Sequence, residues 1–226
     1  MDPQPLVSVI IPVYNAAAYV REAIESVRAQ TYPNREIVCV DDGSSDDSLE
    51  VLRSFGDAVT IVRRAENGGI GAARNNGIAA ARGEVFAFLD ADDVWLPQKL
   101  ALQMPRLSVA DISFAHMRCF LSPELPESVR AVRECPPGDR PGYIASTAVI
   151  TRAAFDRVGG FESKWRVGEF IDWMARAREA GLVTDLLPDV LLMRRIHGTN
   201  TGVTERPSRG DYLRIMKEAL ARKKGI

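Results

Sequence analysis

Groups able to do chemistry gather in this chain where apolar runs break off into acids. Phe86-Ala87-Phe88-Leu89 gives way to Asp90-Ala91-Asp92-Asp93, and Ile37-Val38-Cys39-Val40 gives way to Asp41-Asp42. Carboxylates this close repel one another, and a cation among them relieves the field. Hard oxygen ligands of this kind suit Mg²⁺ or Mn²⁺. Taken alone, the same stretch also reads as a solvated acidic turn in which Asp93 caps the next helix. Farther on, helical spacing sets Glu169, Asp172 and Arg176 on one face, where Asp172 can act as an acid/base group or pair with Arg176 one turn away.

The elements that must position these residues follow from the hydrophobic periodicity. Val7 to Val13 reads as a buried strand, and Asn15 as the N-cap of a helix whose inner face carries Val20, Ile24 and Val27. Ile37 to Val40 is the second strand, with Ser44 or Ser45 expected to cap the next helix. A third strand at Val59 to Val62 leads through Glu66-Asn67-Gly68-Gly69 into a small-residue helix from Ile70 to Ala81. Glu84 to Leu89 is the fourth strand. This alternation predicts an α/β fold with a parallel sheet and helices on both faces. Ligands then bind beyond the carboxyl ends of the strands. All four ends are polar: Tyr14 and Asn15, Asp41 and Asp42, Glu66 and Asn67, Asp90 and Asp92. Four such ends on one rim make a pocket.

After Trp95 the alternation stops. The expectations there are a helix over 96–107, a strand over 111–121, a proline-rich irregular loop over 122–141, and a strand over 143–151. Helices over 152–158 and 168–180, a strand over 190–193 and a terminal helix bearing Tyr212, Leu213, Met216 and Leu220 complete the chain. Residues 206–226 read as a C-terminal helix.

The 226 residues carry a formal net charge of −1, so no nucleic-acid partner is expected. Three cysteines lack metal-ligand spacing, the N-terminus has no basic region before its apolar segment, and no apolar stretch reaches membrane-span length. A cytoplasmic protein is the expectation. Arg214, Lys217, Arg222, Lys223 and Lys224 make the terminal helix basic, which allows weak peripheral contact with an anionic membrane.

Several segments together resemble the family 2 inverting glycosyltransferases, whose fold is called GT-A. They are Val7-Ser8-Val9-Ile10-Ile11-Pro12-Val13-Tyr14-Asn15, Val40-Asp41-Asp42-Gly43-Ser44-Ser45-Asp46 and Asn67-Gly68-Gly69-Ile70-Gly71-Ala72-Ala73-Arg74-Asn75-Asn76-Gly77. Phe88-Leu89-Asp90-Ala91-Asp92-Asp93, Gly159-Gly160-Phe161, Gly168-Glu169 and the His197-to-Asn200 segment complete the set. The resemblance implies a Rossmann-like, mostly parallel sheet with an acceptor-side subregion, residues 1–95 being the nucleotide-sugar-binding half and 96–205 the acceptor-binding half of the same domain. It also implies a nucleotide-sugar donor, UDP-sugar first among them, a Mn²⁺ or Mg²⁺ cofactor, and transfer to an acceptor hydroxyl with inversion. The acceptor class is a saccharide, a lipid-linked or a small molecule.

By the same resemblance Asp92 coordinates the metal, Asp90 shares it or contacts the ribose, Asp42 reads the base, and Pro12, Val13 and Tyr14 flank the nucleoside. Asn67 joins the nucleotide site, and Arg74 either supports the diphosphate or pairs with a strand-end acid. His197 is either structural or meets the diphosphate or the metal. Glu169 stands where the family's base follows a glycine, but Phe170 replaces the acid that usually comes next, which leaves Asp172 as the rival base.

Two other readings compete. A sugar-phosphate nucleotidyltransferase needs a Gly-rich basic loop after the first strand, which Pro12-Val13-Tyr14-Asn15-Ala16 does not supply. A nucleotide-sugar-binding module with lost catalysis draws its support from Phe170. The Gln-x-x-Arg-Trp signature of processive synthases is absent from the chain, so single addition is expected.

Overall fold

β1 (Val7–Val13) is buried throughout because it runs through the middle of a sheet covered on both faces. This computed structural model describes residues 4–130, 135–200, 208 and 210–224. β2 (Arg35–Asp41) and β3 (Thr60–Arg63) lie to one side of β1, and β4 (Val85–Phe88) to the other, all parallel. Beyond β4 come β8 (Val149–Thr151), β6 (Ile112–Leu121), β9 (Thr184–Ile196) and β5 (Val94–Trp95), with β7 (Arg140–Gly142) hydrogen-bonded to β6. β8 is antiparallel to both neighbours and β6 runs parallel to β9. The sheet is therefore parallel through its first half and mixed through its second.

Alternation along the strands sends side chains to two cores. Val7, Val9, Ile11 and Val13 meet Val20, Ala23, Ile24 and Val27 of α1 (Val20–Arg28). Ile10, Phe86 and Phe88 meet the opposite layer. That layer is built by α3 (Ile70–Ala80), α6 (Arg152–Val158) and α7 (Glu169–Glu179). α2 (Ser48–Arg53), α4 (Lys99–Gln103), α5 (Glu127–Arg130) and α8 (Gly210–Lys224) are the remaining helices described.

Two local features shape the rim. Pro12 lies within β1, yet β4 pairs only as far as Ile10 with Phe88, so the missing N–H falls where β4 has already ended. β1 and β4 part there, at the carboxyl ends where the strand order reverses. α3 is rich in small residues because it lies close on the sheet. A Cβ on Gly77 would stand 2.5 Å from Ile10 Cγ2 and 3.1 Å from Val40 Cγ2. This close seating carries Arg74, one turn earlier, up to the rim.

The structure corrects several sequence expectations. α1 starts at Val20, not after Asn15. Asn15 instead takes a left-handed turn (φ 48°) and its Oδ1 accepts from the Ser45 N–H at 2.8 Å. α2 starts at Ser48, and Asp46 rather than Ser44 or Ser45 receives its first N–H. The helix over 96–107 is α4 followed by a 3₁₀ segment from Met104, with Pro105 at its start. The strand over 143–151 is a 3₁₀ turn (Ala145–Thr147) and the short β8. The irregular loop over 122–141 contains α5 and most of β7. β9 extends well beyond 190–193. No helix among the described residues is long and apolar enough to cross a membrane.

Candidate active site

The acidic turn leaves β4 in the middle of the sheet and ends in β5 at its far edge. Between these anchors each acid takes a different partner. Asp93 is buried, and its Oδ1 accepts from the Arg195 N–H at 3.0 Å, fastening the turn to β9. It caps no helix, contrary to expectation. Burial raises its carboxyl well above the usual range, and the charges of Asp92 and Asp90 add to that.

Asp92 faces His197. Asp92 Oδ2 lies 2.8 Å from His197 Nε2 and 3.2 Å from Asn200 Nδ2. The Thr199 N–H donates to His197 Nδ1 at 3.3 Å, which assigns the ring proton to Nε2 and makes it the donor to Asp92. Thr199 Oγ1 also lies 3.0 Å from Nδ1. Tyr19 packs on the imidazole with ring centroids 4.6 Å apart, and burial followed by a hydrogen bond to Glu124 raises its hydroxyl to about 12.

Asp90 turns the other way. Its Oδ1 accepts from Arg74 Nη2 at 2.8 Å, while Arg74 Nη1 pairs with Glu169. Arg74 is 2% exposed and Glu169 6%, whereas the Asp90 side chain keeps 34% of its surface. One guanidinium thus joins an acid of the acidic turn to the first residue of α7. Asp172 lies apart from this group. It is 1% exposed and paired with Arg176 at 2.9 Å and Arg222 at 3.5 Å. Phe170 points into an aromatic cluster with Phe114, Phe161 and Trp173.

At the other end of the rim, Asp42 accepts from the N–H groups of Gly68 at 3.1 Å and Gly69 at 2.9 Å, and pairs with Arg64. It holds the Asn67 turn against β2. Asn67 Oδ1 in turn accepts from Arg166 at 2.9 Å. Pro12 and Val13 form the end of β1, and Tyr14 stands 50% exposed above them.

Among the described residues no three His, Cys, Asp or Glu side chains form a ready cage for a metal. The donors at Asp92 and His197 nevertheless fit Mn²⁺ or Mg²⁺ if phosphate oxygens and water complete the shell, as is usual for cations bound with nucleotides. A cavity of about 920 Å³, lined by Pro5, Tyr32, Val85, Met104 and Leu107 among others, opens at the opposite ends of the strands and includes none of these residues.

Sequence reasoning missed Arg195, Ser146 and Glu22. Arg195 donates through Nε to the Asp92 carbonyl at 2.9 Å, pairs with Glu22, and stacks on Tyr19 and Phe120. Its place two residues before His197 was the available signal. Ser146 Oγ receives the Asp90 N–H at 3.2 Å.

The family model described as glycosyl transferase family 2 matches residues 8–132, more than half of the chain. The chain belongs to glycosyl transferase family 2. It is 47% identical over 107 residues to an uncharacterized glycosyltransferase of Rickettsia prowazekii, covering 47% of this chain and 33% of that one. It is 36% identical over 115 residues to the putative teichuronic acid biosynthesis glycosyltransferase TuaG of Bacillus subtilis, covering 50% and 46%. This family 2 chain therefore spans between a third and a half of the length of these two curated relatives.

Among solved structures it superposes on S. aureus TarS in complex with UDP-GlcNAc with a TM-score of 0.75 at 21% identity, covering 94% of this chain and 65% of that one. The mannosyltransferase PcManGT of Pyrobaculum calidifontis, in complex with GDP-Man and Mn²⁺, gives 0.65 at 23% identity, covering 85% and 57%. The fold is GT-A, as the motifs implied.

Proposed function

We propose that this family 2 chain transfers a sugar from a nucleoside-diphosphate sugar, UDP-sugar foremost, to an acceptor hydroxyl, with inversion and one addition per encounter. The observation that carries the reading is Arg74, which ties Asp90 of the acidic turn to Glu169 at the head of α7. Donor and acceptor chemistry thereby meet at one point of the rim. The nucleotide lies along the carboxyl ends of β1 and β2, flanked by Pro12, Val13 and Tyr14, with Asp42 and Asn67 at the base end. Asp92 and His197 would hold the divalent cation beside the diphosphate, with Asp90 on the ribose or sharing the ion. Bound there, Mn²⁺ or Mg²⁺ would supply Lewis-acid neutralisation of the leaving group's charge.

Glu169 is the base in this reading. It takes the proton from the acceptor hydroxyl as that oxygen attacks the anomeric carbon in line and the nucleoside diphosphate departs. Arg74 orients the carboxylate. The pairing of buried Asp172 with Arg176 and Arg222 supports Glu169 over it. The acceptor is a saccharide, free or lipid-linked, or another small hydroxyl compound. Free Cys39, Cys119 and Cys135 support a reducing, cytoplasmic setting.

A thermal-shift screen of UDP-, GDP- and dTDP-sugars with and without Mn²⁺, followed by assay of sugar release, tests the proposal. Glu169→Gln is expected to keep donor binding and to lower turnover by about 10²–10⁴-fold. Failure to bind any nucleoside diphosphate, with no turnover, sinks the reading. Donor binding without turnover in the unaltered chain would make it a binding module instead.

A further inference from the structure

α8 holds itself to the domain by one face only. Ile215 is buried, Asp211 accepts from the Arg166 N–H at 3.0 Å, Glu218 pairs with Lys164 at 2.9 Å, and Arg222 with Glu179 at 2.9 Å. Both acids of the helix are thus used inward. The opposite face carries Leu213, Met216 and Leu220, all exposed, at spacings that bring them onto one stripe. Arg214, Lys217 and Lys223 flank that stripe and are also exposed. Lys217 and Lys223 make no ion pair among the described residues, and Arg214 has only Asp211 at 3.8 Å. In a chain of net charge −1, this outward face bears cations and apolar side chains and no acid.

We infer that the outward face of α8 is a membrane-surface element that seats on an anionic lipid bilayer. Its apolar stripe enters the headgroup boundary while the flanking cations meet lipid phosphates. Charge complementarity commits the face to this occupant: a wholly cationic rim around an apolar stripe matches an anionic lipid surface. The position of α8 ties the surface to the active site. Gly168 has φ 82°, and a Cβ there would fall 2.8 Å from Ile215 Cδ1 and 3.0 Å from the Tyr212 ring. The helix therefore rests directly on the residue before Glu169. A bilayer bound by α8 would lie beside the acceptor end of the rim. The inference stands without the proposed transfer reaction, since its test reads lipid binding alone.

Co-sedimentation of the full chain with phosphatidylcholine vesicles, with and without phosphatidylglycerol, is the test. Binding is expected only to the anionic vesicles and is expected to weaken with salt. Each cation near such a surface is worth about fivefold in partitioning, so K217E/K223E is expected to bind roughly 25-fold more weakly or worse. L213S/M216S/L220S, altered only at exposed positions, is expected to lose binding while its thermal midpoint and donor-induced thermal shift stay unchanged. No binding to anionic vesicles, or equal binding by both variants, overturns the inference. So does a dimer in solution that the triple variant converts to monomer while lipid binding is absent, since the face would then belong to a second copy.

Discussion

Replacing Arg74 by Met leaves the Glu169 carboxylate, whose side chain is 8% exposed, without its cation. Stranding one partner of a buried ion pair costs about 3–5 kcal/mol. The pair with Asp90 adds only about 0–1 kcal/mol, because a third of that side chain is solvated. Met keeps the apolar contact with Phe88 and Phe161, over whose rings the guanidinium lies at 5.9 and 5.8 Å. The expected loss is therefore about 3–6 kcal/mol. For a chain of this size each kcal/mol lowers Tm by about 2–4 °C, which predicts a fall of roughly 6–24 °C. Urea unfolding of wild type, R74M, E169Q and R74M/E169Q measures it. If the stranded charge is the cause, E169Q in the R74M background restores more than half of the loss. A cost of R74M below about 1 kcal/mol, or single-variant costs that add to within about 0.5 kcal/mol, would refute the reasoning.

Three further outcomes are expected. D92A and H197A should each remove the Mn²⁺-dependent part of nucleotide binding by titration calorimetry, and unchanged Mn²⁺ dependence in both would displace the cation from that corner. G77A forces a methyl against Ile10, so overpacking of about 1–3 kcal/mol outweighs a helix-propensity gain of about 1 kcal/mol; a denaturant midpoint at or above wild type contradicts the close seating of α3. Lys99 is buried beside Trp95 and donates to the Thr147 carbonyl at 3.0 Å with no carboxylate partner among the described residues, and burial pulls its ammonium well below the usual 10.5. The unfolded chain then binds the extra proton between the lowered value and 10.5, so this group makes stability rise with pH across that window. K99M should flatten that rise in urea unfolding between neutral and alkaline pH, and an unaltered slope would show that Lys99 stays charged.

Where burial on both faces left one reading, the sequence was legible. Val7 to Val13 is an almost continuous β-branched run, and β1 has those same bounds. The four polar strand ends do share one rim because parallel strands with short connections leave no other arrangement. β9 was legible only over its apolar centre. It crosses Pro188 through an irregularity in which Ala115 pairs with Leu187 and His116 with Val190, and no periodicity survives that step. Helix starts were misplaced at Asn15 and Ser44 because those side chains bond each other's loops rather than their own helices: Ser44 Oγ receives the Asn15 N–H at 3.1 Å. Arg195 escaped notice for a related reason. Its partners, Glu22 and the Asp92 carbonyl, are more than a hundred residues away in sequence, and only the folded sheet brings them together.

The two anchors of the acidic turn also decide where this chain can change length. β4 fixes the turn at the centre of the sheet, and β5, only two residues long, fixes its other end to β9 at the margin. A residue added between them would have to be absorbed within the cleft. The connection from β6 to β7 is the opposite case, because it leaves one strand and comes back to pair with that same strand. Ser122 and Glu124 at its start bond Arg195 and Tyr19 of the rim, so the part to lengthen or exchange is the one after Glu124. Loop grafting aimed at a new acceptor should begin at that connection and leave residues 89–95 intact.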